Sequence, residues 1–333
     1  MAEAGGGIMA LNILILVLGF AVLVKGADLF VDGSASLARL FKVSGLIIGL
    51  TIVALGTSAP ELAVSTTAAL SGSNEIALSN VIGSNLFNLL MVLGICAVIS
   101  PVPTSDDIVK RDYPISLGAT VLVFFLASGI KIFTSGNPLK LDAEAVAGTF
   151  PRIGGIILLI LFVSYIVLLI VEAKKHPSEE EKPEERKLGK CIFLILIGMA
   201  MVIAGGQAVV YSAKAIAKDV GMSETLIGLT VVALGTSLPE LVTSIVAARK
   251  KETELAIGNV IGSNIFNLLF ILGVSTTIHP IGVNFASLSD LIVLFFVSIL
   301  TFLFLFRKKK LTRLEGLVMI VLYIAQVVFA VVR

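Results

Sequence analysis

Long apolar runs separated by short polar connections dominate the chain. Each run is close to 20 residues or longer, which is the length that a helix needs to cross the hydrocarbon core of a bilayer. The runs are uniformly apolar, whereas the strands of a membrane barrel would alternate apolar and polar residues. Ten helical spans fit this pattern, at residues 8–31, 43–70, 74–99, 113–131, 152–173, 190–216, 223–248, 254–279, 287–306 and 312–332. The predicted fold class is an all-α polytopic membrane protein.

Composition supports an integral membrane protein and excludes a soluble one. Hydrophobic residues make up 57% of the chain and charged residues 14%, and the mean hydropathy is +1.04. The first apolar run lacks the basic segment of a secretory signal peptide and is too long for one, so we retain it as the first span. Cys96 and Cys191 show no metal-ligand spacing and are interpreted as buried small apolar residues, without a disulfide. We expect no cofactor, no nucleic-acid partner and no obligate protein partner; the lipid bilayer is the expected surrounding.

The distribution of basic residues predicts the orientation of the chain. The odd-numbered connections hold 18 Lys and Arg residues, whereas the other side holds six. The positive-inside rule therefore places the odd connections in the cytoplasm and both termini outside. A charged tract at 173–189 reads as a flexible cytoplasmic linker, which separates a first half at 1–172 from a second half at 190–333.

A duplicated pair of motifs shows that the two halves are repeats. GLTIVALGTSAPELAVS at 49–65 returns as GLTVVALGTSLPELVTS at 228–244, with 13 of 17 positions identical. SNVIGSNLFNLL at 79–90 returns as GNVIGSNIFNLL at 258–269, with 10 of 12 identical, and both pairs are offset by 179 residues. The repeats cover 43–99 and 223–279. Because five spans precede the linker, the second copy must enter the membrane in the opposite direction, and such inverted repeats are typical of secondary transporters.

Each copy carries a glutamate and a proline inside an apolar span. Carboxylates cost about 2.5–3.5 kcal/mol each at the centre of a bilayer, so Glu61 and Glu240 indicate a function that handles positive charge. Pro60 lacks an N–H and would free the carbonyl of Gly56. In the second copy, Pro239 would free the carbonyl of Gly235 in the same way. Free carbonyls at membrane depth are tolerated only against protein or a water-lined cavity. The motif therefore predicts an oxygen-rich niche.

Hydroxyl and amide side chains surround these glutamates at helical spacing. Thr57 and Ser58 share a helix surface with Glu61, and the second copy repeats the arrangement. Polar stripes on the companion helices comprise Asn80, Ser84 and Asn88, and Asn259, Ser263 and Asn267, with Gly83 and Gly262 beside them to allow close backbone approach. Single polar residues in membrane helices usually bridge helices, but the duplication of the whole set favours a binding site. Because every candidate ligand is an oxygen, the site suits hard cations such as Na⁺ or Ca²⁺, with Mg²⁺ a poorer fit.

Two aspartates of the first span lie outside this pattern. The residues at the 179 offset from Asp28 and Asp32 are Gln207 and Tyr211, so the aspartates are assigned no part in the repeated chemistry.

The duplicated GTSAPE/GTSLPE and IGSNLFN/IGSNIFN motifs closely resemble the α-repeats of the cation/Ca²⁺ exchanger superfamily, especially its prokaryotic Na⁺/Ca²⁺ exchanger branch. The resemblance covers essentially the full chain and implies ten transmembrane helices arranged as two inverted-topology five-helix repeats in a prokaryotic cell membrane. It implies a Ca²⁺ site formed by Glu61 and Glu240 with the carbonyls of Thr57 and Thr236. The implied Na⁺ ligands are Ala54, Thr57, Ser58, Glu61 and Ser263; Ala233, Thr236, Ser237, Glu240 and Ser84; and Asn88 and Asn267.

Asn267 departs from the pattern of this superfamily, because several members have an aspartate there, and in the K⁺-dependent branch that acid is linked to K⁺ transport. The resemblance otherwise implies an antiporter, not an enzyme, that exchanges Na⁺ for Ca²⁺ by alternating access, with the first and sixth helices sliding past the core. Electrogenic Ca²⁺ extrusion is the implied direction. A Ca²⁺/H⁺ antiporter of the same fold is the alternative that the residues leave open, and a Ca²⁺-selective channel is a further one.

Overall fold

The computed structural model describes residues 2–72, 74–128, 146–177, 186–222 and 233–332. Helices dominate both halves. The first half contains α1 (Ala2–Phe41), α2 (Gly45–Thr57), α3 (Ala59–Leu70), α4 (Glu75–Ile99), α5 (Tyr113–Ser128) and α6 (Arg152–Lys175). The second half contains α7 (Leu188–Asp219), α8 (Ala233–Thr236), α9 (Leu238–Arg249), α10 (Thr253–Ile278), α11 (Phe285–Lys308) and α12 (Arg313–Val332).

The described helices confirm a helical polytopic membrane fold. Seven of them are long and apolar enough to cross a membrane, and the number rises to eight if the bent pair α2–α3 is one span. The start of the predicted span 223–248 and the middle of the linker 173–189 lie outside the described residues. The count of ten spans and their inverted arrangement therefore remain predictions.

The first helix is longer than the sequence pattern predicted. The predicted span 8–31 ends where polar residues begin, but α1 continues to Phe41, and Arg39 lies in its last turn. Helix packing continues past the apolar stretch, because Ala35 and Ala38 remain buried. The boundary was wrong because hydropathy marks the membrane-length segment, whereas tertiary contacts keep the next turns helical.

Glycines allow α1 and α7 to pack backbone against backbone. A Cβ atom built at Gly198 would lie 2.5 Å from the backbone nitrogen of Phe30, and one built at Gly26 would lie 2.9 Å from the carbonyl oxygen of Gly198. Further along, a Cβ atom at Gly205 would lie 2.6 Å from the backbone nitrogen of Leu23. Close backbone approach at small residues is the usual packing mode of membrane helices, so α1 and α7 form one tightly joined pair.

Two short antiparallel ribbons depart from the all-α prediction. β1 (Val102–Pro103) pairs with β4 (Lys310–Leu311), and β2 (Val146–Phe150) pairs with β3 (Ile281–Asn284). Strands of two to five residues carry no readable periodicity, so the sequence pattern could not predict them.

The ribbon formed by β1 and β4 also carries an ion-pair cluster. Lys110 and Lys309 contact Asp106 at 2.8 and 2.7 Å and hold the pKa of this carboxyl down to about 2. The ribbon and the ion pairs together join the connection before α5 to the end of α11.

Candidate functional site

The helix that carries the first glutamate is broken in the middle. α2 and α3 meet at an angle of 50° around Ser58, whose φ of −83° and ψ of 8° end the first segment. Pro60 occupies the first turn of α3, the position where its missing N–H costs least. The second copy breaks in the same way between α8 and α9, with Ser237 at φ −92° and ψ 8° and Pro239 next in the first turn. The prolines therefore set the two glutamates at the start of new helices.

Glu61 and Glu240 are both fully buried at these breaks. Each lies in the first turn of its helix, where the N-terminal end of the helix dipole stabilises negative charge. The two carboxylates are close enough to repel one another. Within the described part of the chain, neither forms an ion pair with a Lys, Arg or His side chain. Buried carboxylates in this arrangement favour a cation between them.

Serines at the two breaks connect the repeats to each other. Ser58 donates a hydrogen bond to Glu240 Oε1 at 2.8 Å, and Ser237 donates one to Glu61 Oε1 at the same distance. Each serine thus binds the glutamate of the other repeat rather than its own. The polar cluster is therefore shared between the two halves of the chain.

The companion helices α4 and α10 complete this cluster. Ser84 donates to Glu61 Oε1 at 3.4 Å, and its Oγ lies 3.0 Å from Ser237 Oγ. On the other side, Thr57 Oγ1 lies 3.5 Å from Ser263 Oγ. The predicted residues Thr57, Ser58, Glu61, Ser84, Ser237, Glu240 and Ser263 are thus brought together.

Asn80 and Asn259, which belong to the predicted polar stripes, bind neighbouring helices, and Asn259 Oδ1 also accepts a hydrogen bond from Thr57 Oγ1 at 3.0 Å. Asn80 donates to Ser65 at 2.9 Å, and Asn259 donates to Ser244 at 2.9 Å. These bonds fasten α4 to α3 and α10 to α9. The two asparagines therefore support the helices that carry the glutamates.

A cross-repeat pair of asparagine contacts was missed by the sequence pattern. Asn267 donates to Asn85 Oδ1 at 3.0 Å, and Asn88 donates to Asn264 Oδ1 at 3.2 Å. Asn85 and Asn264 are buried, and both stand in the duplicated IGSN motif. Their identity in both copies was the signal available, but an i, i+4 stripe does not include them.

Asn88 and Asn267, which donate these two hydrogen bonds, both lie in π-helical turns. Asn88 begins the π-helical turn Asn88–Val92 in α4, and Asn267 lies in the corresponding turn Phe266–Ile271 in α10. Such bulges rotate the side chains that follow and occur often at functional sites.

Several buried oxygen atoms in the cluster form no hydrogen bond within the described residues. They are Glu61 Oε2, Glu240 Oε2, Asn88 Oδ1, Asn267 Oδ1 and Thr236 Oγ1. An unsatisfied buried polar atom costs about 1–3 kcal/mol. Five such oxygen atoms in one cluster therefore indicate a binding site for a ligand that is held by oxygen atoms. All five belong to residues that the sequence assigned to ion binding.

The remaining predicted ligands are backbone atoms. The carbonyl oxygen of Ala54 accepts a hydrogen bond from Thr57 Oγ1 at 3.4 Å and so lies beside the cluster. Ala233 begins α8, and its side chain lies outside what the structure describes.

Gly262 and Gly83 differ in their surroundings. A Cβ atom at Gly262 would lie 2.7 Å from the Cα of Leu50, so the predicted close approach is confirmed there. Among the described residues nothing lies within 4 Å of a Cβ atom at Gly83. The residue at the 179 offset from Leu50 is Leu229, which is outside the described ranges.

The geometry agrees with a comparison against known protein families. The sequence profile described as sodium/calcium exchanger protein matches residues 11–171 and 190–332, which include both repeats and both glutamates. This chain belongs to the sodium/calcium exchanger family. It is therefore an integral membrane protein of an antiporter family, and the family is one of transporters rather than enzymes.

Individual relatives of this exchanger-family chain match it along nearly its whole length. It is 36% identical over 328 residues to a putative antiporter CaxA of Alkalimonas amylolytica, which covers 95% of this chain and 97% of the relative. It is 34% identical over 342 residues to the sodium/calcium exchanger MaX1 of Methanosarcina acetivorans, with the same two coverages. A solved structure of the sodium-calcium exchanger NCX_Mj, soaked with Na⁺ and without Ca²⁺, superposes with a TM-score of 0.81 at 31% identity. That match covers 98% of this chain and 100% of the solved one.

Asp28 and Asp32 of this exchanger-family member bind a lysine away from the cluster. Lys250 Nζ lies 2.6 Å from Asp32 Oδ1 and also contacts the carboxylate of Asp28. Sequence reasoning left this contact out, because Lys250 is 218 residues from Asp32 and none of the three belongs to a repeated motif.

Proposed function

We propose that the chain is a secondary-active antiporter that exchanges Na⁺ for Ca²⁺ at the cluster around Glu61 and Glu240. The observation that carries this proposal is the reciprocal pair of hydrogen bonds that joins each glutamate to the serine of the other repeat. It brings two buried carboxylates into one oxygen-lined site. The two carboxylates together match the charge of one Ca²⁺ ion, and they are the groups that Na⁺ would also need.

In this proposal the central Ca²⁺ is held by Glu61 and Glu240 together with the carbonyls of Thr57 and Thr236. Ca²⁺ binds six to eight oxygens, so further ligands are needed beyond four residues. The unpaired amide oxygens of Asn88 and Asn267 support this site, because they are buried and form no hydrogen bond with the described residues.

The proposed Na⁺ sites flank the Ca²⁺ site and share its glutamates. One takes the Ala54 carbonyl, Thr57, Ser58, Glu61 and Ser263, and the other takes the Ala233 carbonyl, Thr236, Ser237, Glu240 and Ser84. Two contacts support the grouping, because Thr57 lies 3.5 Å from Ser263 in the first set and Ser237 lies 3.0 Å from Ser84 in the second. Shared glutamates make Na⁺ and Ca²⁺ compete, which is the requirement for exchange rather than joint transport.

The proposed architecture is ten spans in two inverted halves, 1–172 and 190–333, joined by the linker 173–189. Reciprocal contacts between the repeats support a twofold relation. Ser58 of the first copy binds Glu240 of the second, and Ser237 of the second copy binds Glu61 of the first. Five spans in each half orient the copies oppositely. The excess of basic residues supports a cytoplasmic linker and external termini.

Alternating access at this site would give Na⁺-driven Ca²⁺ extrusion across a prokaryotic cell membrane. The bacterial and archaeal sources of the similar proteins support that membrane. Access would alternate as α1 and α7, which are closely packed together, move relative to the helices that hold the glutamates. One site that opens to each face in turn couples the two ions without a continuous pore.

The coupling ion is tested by Ca²⁺ flux into vesicles that contain the purified protein. We expect uptake when Na⁺ is trapped inside and diluted outside, and no uptake when a pH gradient alone is imposed. Uptake driven by pH alone would replace the proposal with a Ca²⁺/H⁺ antiporter, in which the two glutamates carry protons. Ca²⁺ flux that neither saturates nor needs a counter-ion would indicate a channel.

A further inference from the structure

An ion-pair cluster lies near one face of the molecule, away from the oxygen-lined site. Lys250 follows the last residue of α9, and its Nζ contacts Asp32 Oδ1 at 2.6 Å, the Asp28 carboxylate and the Asp28 carbonyl oxygen at 3.1 Å. Each of the three side chains is between one quarter and two fifths exposed. Lys250 thus contacts three oxygen atoms of α1, and we name Lys250, Asp28 and Asp32 the lysine clamp.

The lysine clamp joins α1 to the segment that follows α9. Asp28 and Asp32 belong to α1, which is packed against α7 through glycines. Lys250 belongs to the segment after α9, the helix that begins beside Glu240. A second contact, between Arg39 Nη1 and Glu252 Oε1 at 3.2 Å, runs between the same two segments. The clamp therefore ties the α1–α7 pair to the repeat that carries one of the two site glutamates.

The residues of the other half that correspond to the lysine clamp are different in chemistry. At the 179 offset, Asp28 and Asp32 correspond to Gln207 and Tyr211, and Lys250 corresponds to Ser71. No charged pair can form among these three residues, so the clamp is not duplicated with the rest of the site.

A cavity lies beside two of these three residues, Gln207 and Tyr211. It has a volume of about 340 Å³, and its lining includes Gln207 and Tyr211 of α7 together with Pro60, Thr236 and Pro239. It therefore reaches from the α7 surface to the helix breaks that hold the site. The same structure has this cavity along α7 on one side and the lysine clamp along α1 on the other.

We propose that the lysine clamp is a positioning device that holds the α1 side of the ion site shut and so sets the relative ion affinity of the two faces. This inference rests on the proposed function, because it needs a site that opens to both faces in turn. Lys250 is a positioning residue here, and it does not touch the transported ions. The face it closes is the one that bears residues 249–252, which the positive-inside rule assigns to the cytoplasm.

The clamp acts by changing how often the molecule is open to each face. A ligand binds an alternating site with an apparent affinity that is reduced by the fraction of molecules in the competent state. Loss of the clamp should populate the state that is open to the clamp face and deplete the other. Loss of a partly exposed ion pair shifts this equilibrium modestly, so we expect the ratio of the two apparent affinities to change by about threefold to tenfold.

The test compares apparent KM values for Ca²⁺ at the two faces of the reconstituted protein. Vesicles with the clamp face outward and vesicles with it inward are assayed separately for Na⁺-driven Ca²⁺ exchange. The variants are Lys250→Gln and Asp28→Asn with Asp32→Asn, and Lys250→Arg is the conservative replacement. Lys25→Gln is the matched control, because Lys25 binds the same Asp28 at 2.9 Å but lies on α1 itself and joins nothing to α9.

For Lys250→Gln and for the double aspartate variant, we expect a lower KM at the clamp face and a higher KM at the opposite face. Lys250→Arg should keep most of the wild-type ratio, and Lys25→Gln should keep all of it. A purely structural role would reduce the number of active molecules and leave the ratio of the two KM values unchanged. An unchanged ratio in active Lys250→Gln protein would overturn the proposal.

A cross-link supplies a second measurement that does not depend on the stability of the charge variants. Cysteines are placed at Asp32 and Lys250, and exchange is assayed after oxidation and again after reduction. We expect oxidation to stop exchange and reduction to restore it, whereas full exchange in the cross-linked protein would contradict the clamp. Failure of the wild-type protein to exchange Na⁺ for Ca²⁺ would instead contradict the proposed function, so the two failures are distinct.

Discussion

Glu61 and Glu240 supply the negative charge of the proposed site, and their neutral isosteres test it at the scale of single residues. Glu61→Gln or Glu240→Gln keeps an oxygen that can accept the serine hydrogen bond but removes one charge from the ion. Loss of one buried charged ligand costs about 3 kcal/mol or more, so we expect exchange to fall by about 100-fold or more. The measurement is initial Na⁺-driven Ca²⁺ uptake at saturating Na⁺.

The same experiment needs a control for folding. Glu75→Gln changes an exposed glutamate outside the cluster, which accepts a hydrogen bond from Asn284 at 3.2 Å. We expect it to keep wild-type exchange. Removal of a buried charge should leave the thermal stability of the two site variants equal to or above that of the wild type. Exchange at the wild-type rate in either site variant would contradict the assignment of the glutamates.

Asn267 places a neutral amide in the proposed site, and Asn267→Asp tests what that amide contributes. The substitution would place a third carboxyl group beside two buried carboxylates, and three cannot all ionise without a large cost. Burial and like charge hold the introduced proton on the site, so it leaves only as the pH rises. We expect the apparent KM for Ca²⁺ of the variant to fall between about pH 6 and about pH 9 more steeply than that of the wild type.

Asn284→Asp is the matched control for that measurement. Asn284 caps α11 by accepting a hydrogen bond from the backbone of Ser287 at 2.8 Å, and aspartate can make the same cap. Its pH profile should follow the wild type. If the apparent KM for Ca²⁺ of Asn267→Asp varied with pH in parallel with that of the wild type, the side chain at position 267 would not interact with the negative charge of the two glutamates.

Residues of the site were largely predictable because the sequence contains the site twice. Glu61, Ser58 and their counterparts stand in duplicated motifs, and the structure brings them into contact. Asn85 and Asn264 were missed, because their contacts depend on π-helical turns that rotate the helix face and leave no mark in an i, i+4 pattern. Lys250 was missed for another reason: a long-range ion pair in only one half has neither local spacing nor repetition to reveal it.

At the scale of helices, the pair α1–α7 offers a test of the packing that the proposed movement requires. Gly198→Ala adds a Cβ atom that would lie 2.5 Å from the backbone nitrogen of Phe30, too close for any side chain to relieve by rotation. We expect a loss of about 1–3 kcal/mol in stability from overpacking. A lower Tm of the purified protein in detergent would show it.

Gly189→Ala is the matched control on the same helix. Among the described residues nothing lies within 4 Å of a Cβ atom at Gly189, so alanine should be accommodated there. Its better helix propensity should leave the Tm unchanged or raise it. A fall in Tm of equal size in both variants would mean that close α1–α7 contact is not what Gly198 provides.

Helices were predictable as elements, but their ends and breaks were less so. Hydropathy located the apolar stretches, and the prolines indicated the disruption that the structure places at Ser58 and Ser237. Hydropathy could not find the last ten residues of α1, because packing rather than apolar length keeps them helical. The ribbons β1–β4 and β2–β3 depend on connections that are far apart in sequence and meet only when the helices are assembled.

At the scale of the whole molecule, the charge carried in one cycle follows from the charge of the site. In the proposed site one Ca²⁺ neutralises two ionised glutamates, so a Ca²⁺-loaded protein would move no net charge across the membrane. Three Na⁺ ions on the same two carboxylates leave one positive charge in excess. If exchange is three Na⁺ for one Ca²⁺, the membrane potential acts on the Na⁺-loaded half of the cycle alone.

This charge balance predicts a voltage-dependent exchange that can be measured in vesicles. With Na⁺ inside and Ca²⁺ outside, each Ca²⁺ taken up sends one net positive charge out, so an inside-positive potential should speed uptake and an inside-negative potential should slow it. One charge crossing 100 mV is worth about 2.3 kcal/mol, which changes the final Ca²⁺ gradient by about 50-fold. The potential is set with K⁺ gradients and valinomycin, and equal K⁺ on both sides is the control. Uptake and final gradient that ignore the potential would require two Na⁺ for each Ca²⁺, because only that ratio leaves both loaded forms of a two-carboxylate site neutral.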